Sequence, residues 1–233
     1  MVAIMVGLSF FLEKVHKEVK SSLIMLYAIA HFLRDKCPFI WDMIDIVNAW
    51  LFSMRYGKKL KAIESGILEQ YAKECCMKVV PMCEVPTEQL VAFFAAQPGE
   101  AYTFFKPHGF DGKSIKKLQR NRSFLAYILM DSNSSNLSDS SNRPAIAGYC
   151  FIRSFFHGKG FRGRMVGIDH RGRGLGTKMN RLMNDVGFGI GLRLFETVSK
   201  DNVASYRSAL SASNVKVVEE MPHNEVYLEI LND

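Results

Sequence analysis

Residues 162–177 read RGRMVGIDHRGRGLGT, and they constrain the chain more than any other stretch. A strand-like run, Met165 to Ile168, passes at once into Arg171-Gly172-Arg173-Gly174-Leu175-Gly176. From there Leu175, Met179, Leu182, Met183 and Val186 recur at helical spacing. Glycines between a strand and a helix admit positive φ and let backbone N–H groups approach a ligand. The first helical turn leaves N–H donors unpaired at the positive end of the dipole, which suits a phosphate. A P-loop is the rival cradle, but its motif is absent, since Gly176-Thr177-Lys178 has the wrong order. A tight basic turn that holds no ligand is the other reading.

The remaining composition narrows the setting. With 233 residues, 48% of them apolar, the chain can form one large domain, or one domain plus an extension, around a sizeable core. The net charge of +7 gathers at 113–122 and at 153–173. Such patches fit a phosphate-bearing cofactor as well as nucleic acid, and no nucleic-acid-binding motif accompanies them, so no nucleic-acid partner is expected. Five cysteines, odd in number and without a CxxC pair, argue for a reducing, cytoplasmic setting and against structural zinc. The apolar run to Leu12 has no basic residue before it and reads poorly as a signal peptide. Leu23 to Leu33 is much shorter than the ~20 residues of a spanning helix, so no membrane span is expected.

Residues 1–76 read as a helical extension, broken at Pro38 and again at Gly57-Lys58-Lys59, with a last helix over 60–73. They carry no constellation of catalytic groups; packing on the second half of the chain, or contact with a partner or a second copy, is the expected role, and a substrate-binding module is the other reading. Residues 77–233 change texture. A strand over 77–85 leads to a helix from Thr87, which can cap it, through Phe94. Asp111 can cap a second helix, through Leu118. Strands are expected over 124–130, 145–156 and 161–169, with a polar loop at 131–143 and a hairpin turn around His157 to Gly160. After the helix from Leu175, GFGIG at 187–191 reads as a helix stop. A strand to Val198, a helix over 202–212 and strands at 215–220 and 225–231 complete the chain.

Arg171-x-x-Gly174-x-Gly176, after a V-x-I strand and before an amphipathic helix, resembles the acyl-CoA signature of the GNAT superfamily of N-acetyltransferases. The order of elements from 77 to 231 is similar to that family's as well. The resemblance implies an α+β fold with a mixed, mostly antiparallel sheet, splayed between two parallel strands at the cofactor site. It implies acetyl-CoA as cosubstrate, with no metal. Backbone N–H groups from Gly172 through Gly174, Leu175 and Gly176 to Thr177 would cradle the pyrophosphate, and Arg171 and Arg173 would add charge. The backbone from Val166 to Ile168 would pair with the pantetheine arm, and Asn202 matches the Asn that opens the family's second conserved helix.

The implied reaction is acetyl transfer to a primary amine by direct attack in a ternary complex. The acceptor would be small, an amino sugar or sugar nucleotide, lined by Tyr102 to Phe110 with Lys106 and His108; a core role is the other reading of Phe104 and Phe105. Many members carry a Tyr seven residues after the Asn to protonate the thiolate; here that position is Ala209. Tyr206, one turn earlier, is the candidate acid, and packing is its other reading. No carboxylate occurs over 156–168, and His157 is the candidate base, in a loop that can face the acceptor. These departures leave a second function open, a GNAT-like module that binds CoA or a partner without catalysis.

Overall fold

A computed structural model describes residues 38–135 and 144–232, with the backbone alone at Pro38 and 132–135. The expected helices before Pro38, together with Cys37 and most of the polar loop, lie outside these residues. The chain divides into two compact units, Met1–Val47 and Asn48–Asp233. In the first, Phe39, Met43, Ile44, Ile46 and Val47 are exposed. Helix α1 (Pro38–Cys75) begins at a proline, where the missing N–H would have been unpaired anyway. It runs unbroken through Gly57, against the expectation of a boundary there. Phe52 and Tyr56 before the glycine, and Ile63, Leu68 and Tyr71 after it, sit on one core cluster. That anchoring outweighs the roughly 1 kcal/mol a helical glycine costs. The compact unit that carries the sheet starts at Asn48.

The other elements follow the expected order. They are β1 (Lys78–Pro81), α2 (Thr87–Ala95), α3 (Gly112–Arg120), β2 (Phe124–Ser135), β3 (Pro144–Ser154), β4 (Lys159–Val166), α4 (Leu175–Ile190), β5 (Arg193–Ser199), α5 (Val203–Ala212), β6 (Val215–Met221) and β7 (Glu225–Ile230). Among the described residues they form one open seven-stranded sheet in the order β1-β2-β3-β4-β5-β7-β6. All neighbouring strands are antiparallel except β4 and β5. That parallel pair is short. Lys159, Gly160 and Phe161 meet Arg193, Leu194 and Phe195, and pairing then stops.

Alternation along β2 builds a core on each face of the sheet. Leu125, Tyr127 and Leu129 join α1, α4 and α5 on one side. Phe124, Ala126, Ile128 and Met130 join α2 and α3 on the other. Two expectations are corrected. GFGIG does not stop α4, which continues to Ile190 and ends at Gly191 with φ 93°. Here the glycines provide room: a Cβ at Gly187 would lie 2.7 Å from Leu194, and one at Gly189 would lie 2.6 Å from Ile63. Nor does Thr87 cap α2; its hydroxyl donates to Gln119 at 2.7 Å, and Pro86 holds the cap position. Asp111 does cap α3, its carboxylate accepting from the backbone of Lys113 and Ser114, both at 3.0 Å.

Candidate active site

Where β4 and β5 part, a cleft of about 910 Å³ opens. Its wide end is the turn from β4 into α4. Gly167 N–H bonds the Ala147 carbonyl at 2.9 Å, which ends the pairing with β3. A short turn, Ile168–His170, then leads through Gly172 (φ 75°) and Gly174 (φ 72°) into α4. Both glycines adopt the left-handed region, which a side chain disfavours. The first backbone bond of α4 runs from Lys178 N–H to Gly174, so Leu175, Gly176 and Thr177 have N–H groups without a helical partner. By the antiparallel alternation from Gly167, the backbone groups of Val166 and Arg164 point away from β3, toward the gap.

The narrow end is made of side chains. Glu196 of β5 is buried and takes two charge-assisted hydrogen bonds from β4, from Arg162 Nε at 2.7 Å and Arg164 Nη1 at 2.8 Å. Burial by itself would raise the Glu196 carboxyl, but the Arg164 and Arg162 charges and hydrogen bonds hold it below the ordinary range. Arg162 also donates to Asn184 of α4, and its Nη2 is buried without a hydrogen-bond partner among the described residues. Arg164 Nη2 donates to the Ser205 carbonyl at 2.9 Å and the Ser205 hydroxyl at 3.2 Å. One carboxylate and two guanidiniums therefore tie β4, β5, α4 and α5 together at the point of splay.

Most of the expected cofactor residues come together. Val166, Arg171, Gly172, Gly174, Leu175, Gly176, Thr177 and Asn202 all line the cleft. Asn202 also caps α5, accepting from Ser205 N–H at 3.2 Å. Arg173 and Ile168 are not in the lining, and Ile168 N–H is taken by the Gln97 side chain at 3.1 Å. The two proton-transfer candidates fall elsewhere. Tyr206 is half-buried against the core and not in the lining. His157 is exposed, stacked on Phe155 in the β3–β4 turn. It sits beyond the Lys159 end of an eight-residue strand, about 25 Å along β4 from Val166.

Phe104 and Phe105 line the cleft, and Phe104 is exposed, so the core role does not hold for it. Lys106 and His108 do not line it. His108 stands in an aromatic cluster with Phe94, Phe110 and Tyr149. Its Nδ1 donates to the Gly109 carbonyl and Nε2 accepts from Tyr149, the neutral tautomer that fits a pKa lowered by burial. Glu100, which is exposed, and His170, buried with Nε2 3.2 Å from Asp131, are further lining groups. Cys150 is fully buried, and burial pushes its thiol far up, so it is a packing residue.

No protein-family model matches the chain, and no curated protein matches it in sequence. Solved structures do. The GNAT domain of S. lividans PAT aligns over 66% of this chain and 89% of its own, with 14% identity and a TM-score of 0.53. The chain has the GNAT fold. The Campylobacter jejuni N-acetyltransferase PseH covers 67% of this chain and 99% of its own at 12% identity and a TM-score of 0.46. A Salmonella typhimurium protein, the putative acetyltransferase yncA with its cofactor acetyl-CoA, covers 66% and 92% at 15% identity and a TM-score of 0.47. At such identities the likeness is one of fold.

Proposed function

We propose that this GNAT-fold chain transfers an acetyl group from acetyl-CoA to a primary amine of a small acceptor, by direct attack in a ternary complex. One observation carries the reading: a cleft between splayed parallel strands ends on unpaired helix N–H groups, two left-handed glycines and Arg171. That end meets a pyrophosphate with donors and positive charge. The outward-facing backbone of Val166 and Arg164 would take the amide-bearing pantetheine arm as an added strand. Among the lining residues, Glu100 would draw in a cationic amine, and Phe104 and Phe105 would offer aromatic surface to a compact acceptor such as an amino sugar. The amine loses its proton to solvent at the open mouth, and its nitrogen attacks the thioester carbonyl; holding both reactants in one cleft supplies the proximity.

Acetyl-CoA is expected to raise the melting temperature of the protein, and Gly174→Glu, which sets a bulky carboxylate at a positive-φ position beside the phosphates, to abolish the rise. Thiol release against a panel of amines should then exceed the amine-free rate. No thermal shift at saturating acetyl-CoA overturns the cofactor; a shift without transfer to any amine favours the non-catalytic CoA-binding module.

A further inference from the structure

Breaking a thioester by an amine leaves a negative charge on sulfur. In this chain Ala209 is buried, and Tyr206 packs against the core outside the cleft lining. The narrow end of the cleft instead holds Arg162, Arg164, Glu196 and Ser205. Two guanidiniums against one carboxylate leave this array with a net positive charge, and it lies where solvent screening is weak, since the side chains of Arg162 and Arg164 are 0% and 5% exposed. Two of its donors are uncommitted. Arg162 Nη2 is buried without a partner among the described residues, and the Ser205 hydroxyl accepts from Arg164 and so keeps its own hydrogen to donate. Enclosed as it is, Arg162 Nη2 acts on the cleft through its charge, while Ser205 lines the cleft.

CoA carries its phosphates and its thiol at opposite ends of one extended arm. With the phosphates on the Arg171–Thr177 turn and the arm along the open edge of β4, the sulfur falls toward Arg164 and Arg162. We propose that the Arg162–Glu196–Arg164 array, with the Ser205 hydroxyl, receives the sulfur as a thiolate, replacing a protonating side chain. This rests on the acetyl-CoA reading above. In the step, the amine nitrogen forms a bond to the carbonyl carbon, the C–S bond breaks with its electron pair moving to sulfur, and the nitrogen's proton leaves to solvent. CoA then departs as thiolate or is protonated by water. Glu196 acts as a positioning residue, holding both guanidiniums in the wedge.

The test titrates the thiol of bound CoA by thiolate ultraviolet absorbance, with the complex of desulfo-CoA subtracted and binding checked by calorimetry. A free thiol titrates near pH 8.5. The bound thiol is expected to titrate at least one unit lower, about a tenfold gain in thiolate fraction. Ser205→Ala should return part of the shift, Arg164→Met most of it, and Arg164→Lys should keep more than Arg164→Met. The wild-type titration needs no variant to fold. CoA that binds with an unshifted thiol overturns this proposal and leaves the cofactor reading intact; CoA that does not bind overturns both.

Discussion

The two ends of the cleft are built from different materials. At the wide end the groups that face a ligand are backbone: the N–H groups of Leu175, Gly176 and Thr177, set by two glycines of positive φ. At the narrow end they are side chains drawn from β4, β5 and α5 and locked by ion pairs. A backbone cradle costs little to hold, because the helix behind it fixes the donors. A buried ionic array is costly to assemble, since each charge loses its water, and it holds together only while every member has its partner. Under the proposed acetyl transfer, one end would grip a permanently charged group and the other would meet a charge that exists only during reaction.

That contrast breaks most visibly at Glu196. Glu196→Leu leaves Arg162 and Arg164 buried without their counter-charge, and a loss of about 3–5 kcal/mol is expected in denaturant unfolding. Replacing all three with leucine removes the stranded charges together, and should recover most of that loss. If Glu196→Leu costs less than about 1 kcal/mol, the array is solvated in a way its burial does not suggest.

Acid sharpens the same point. Glu196 has a folded pKa below its unfolded value, so the unfolded chain binds more protons between the two. Its contribution is fully present above the unfolded value of about 4.3 and is lost as pH falls through the folded value. The wild type should therefore lose stability from about pH 4.3 downward more steeply than the triple leucine variant, measured by urea unfolding across that range. Equal slopes would mean that other carboxylates govern the acid limb.

The difference between the ends also explains what the sequence makes legible. The wide end is local: Arg171, Gly174 and Gly176 fall within six residues, and strand, turn and helix are consecutive. The order of elements in the sheet-bearing unit is readable for the same reason, since alternation in β2 and helical spacing in α4 are short-range patterns. The narrow end joins residues 32 to 41 apart, Arg164 with Glu196 and with Ser205, and charges in a strand read as surface residues until the partner strand is placed. His157 shows the opposite case. Its loop reads as one that can face the acceptor, but an extended strand carries that loop to the paired end of β4 and β5. Gly57, Gly187 and Gly189 look like stops because their tertiary neighbours, the core beneath α1, Leu194 and Ile63, are invisible in the chain itself.

The smallest expected effect is at the wide end. Gly172 has φ 75°, yet a Cβ there would meet no atom within 4 Å. Gly172→Ala therefore pays only for the left-handed conformation, about 1 kcal/mol, with no packing lost. A loss near that value, in an otherwise unchanged fold, would show that this end is held by backbone geometry alone. A loss of about 3 kcal/mol or more, on the scale of stranding the narrow-end arginines, would show that its neighbours pack more tightly than the open space around Gly172 allows, and the division between a backbone end and a side-chain end would fail.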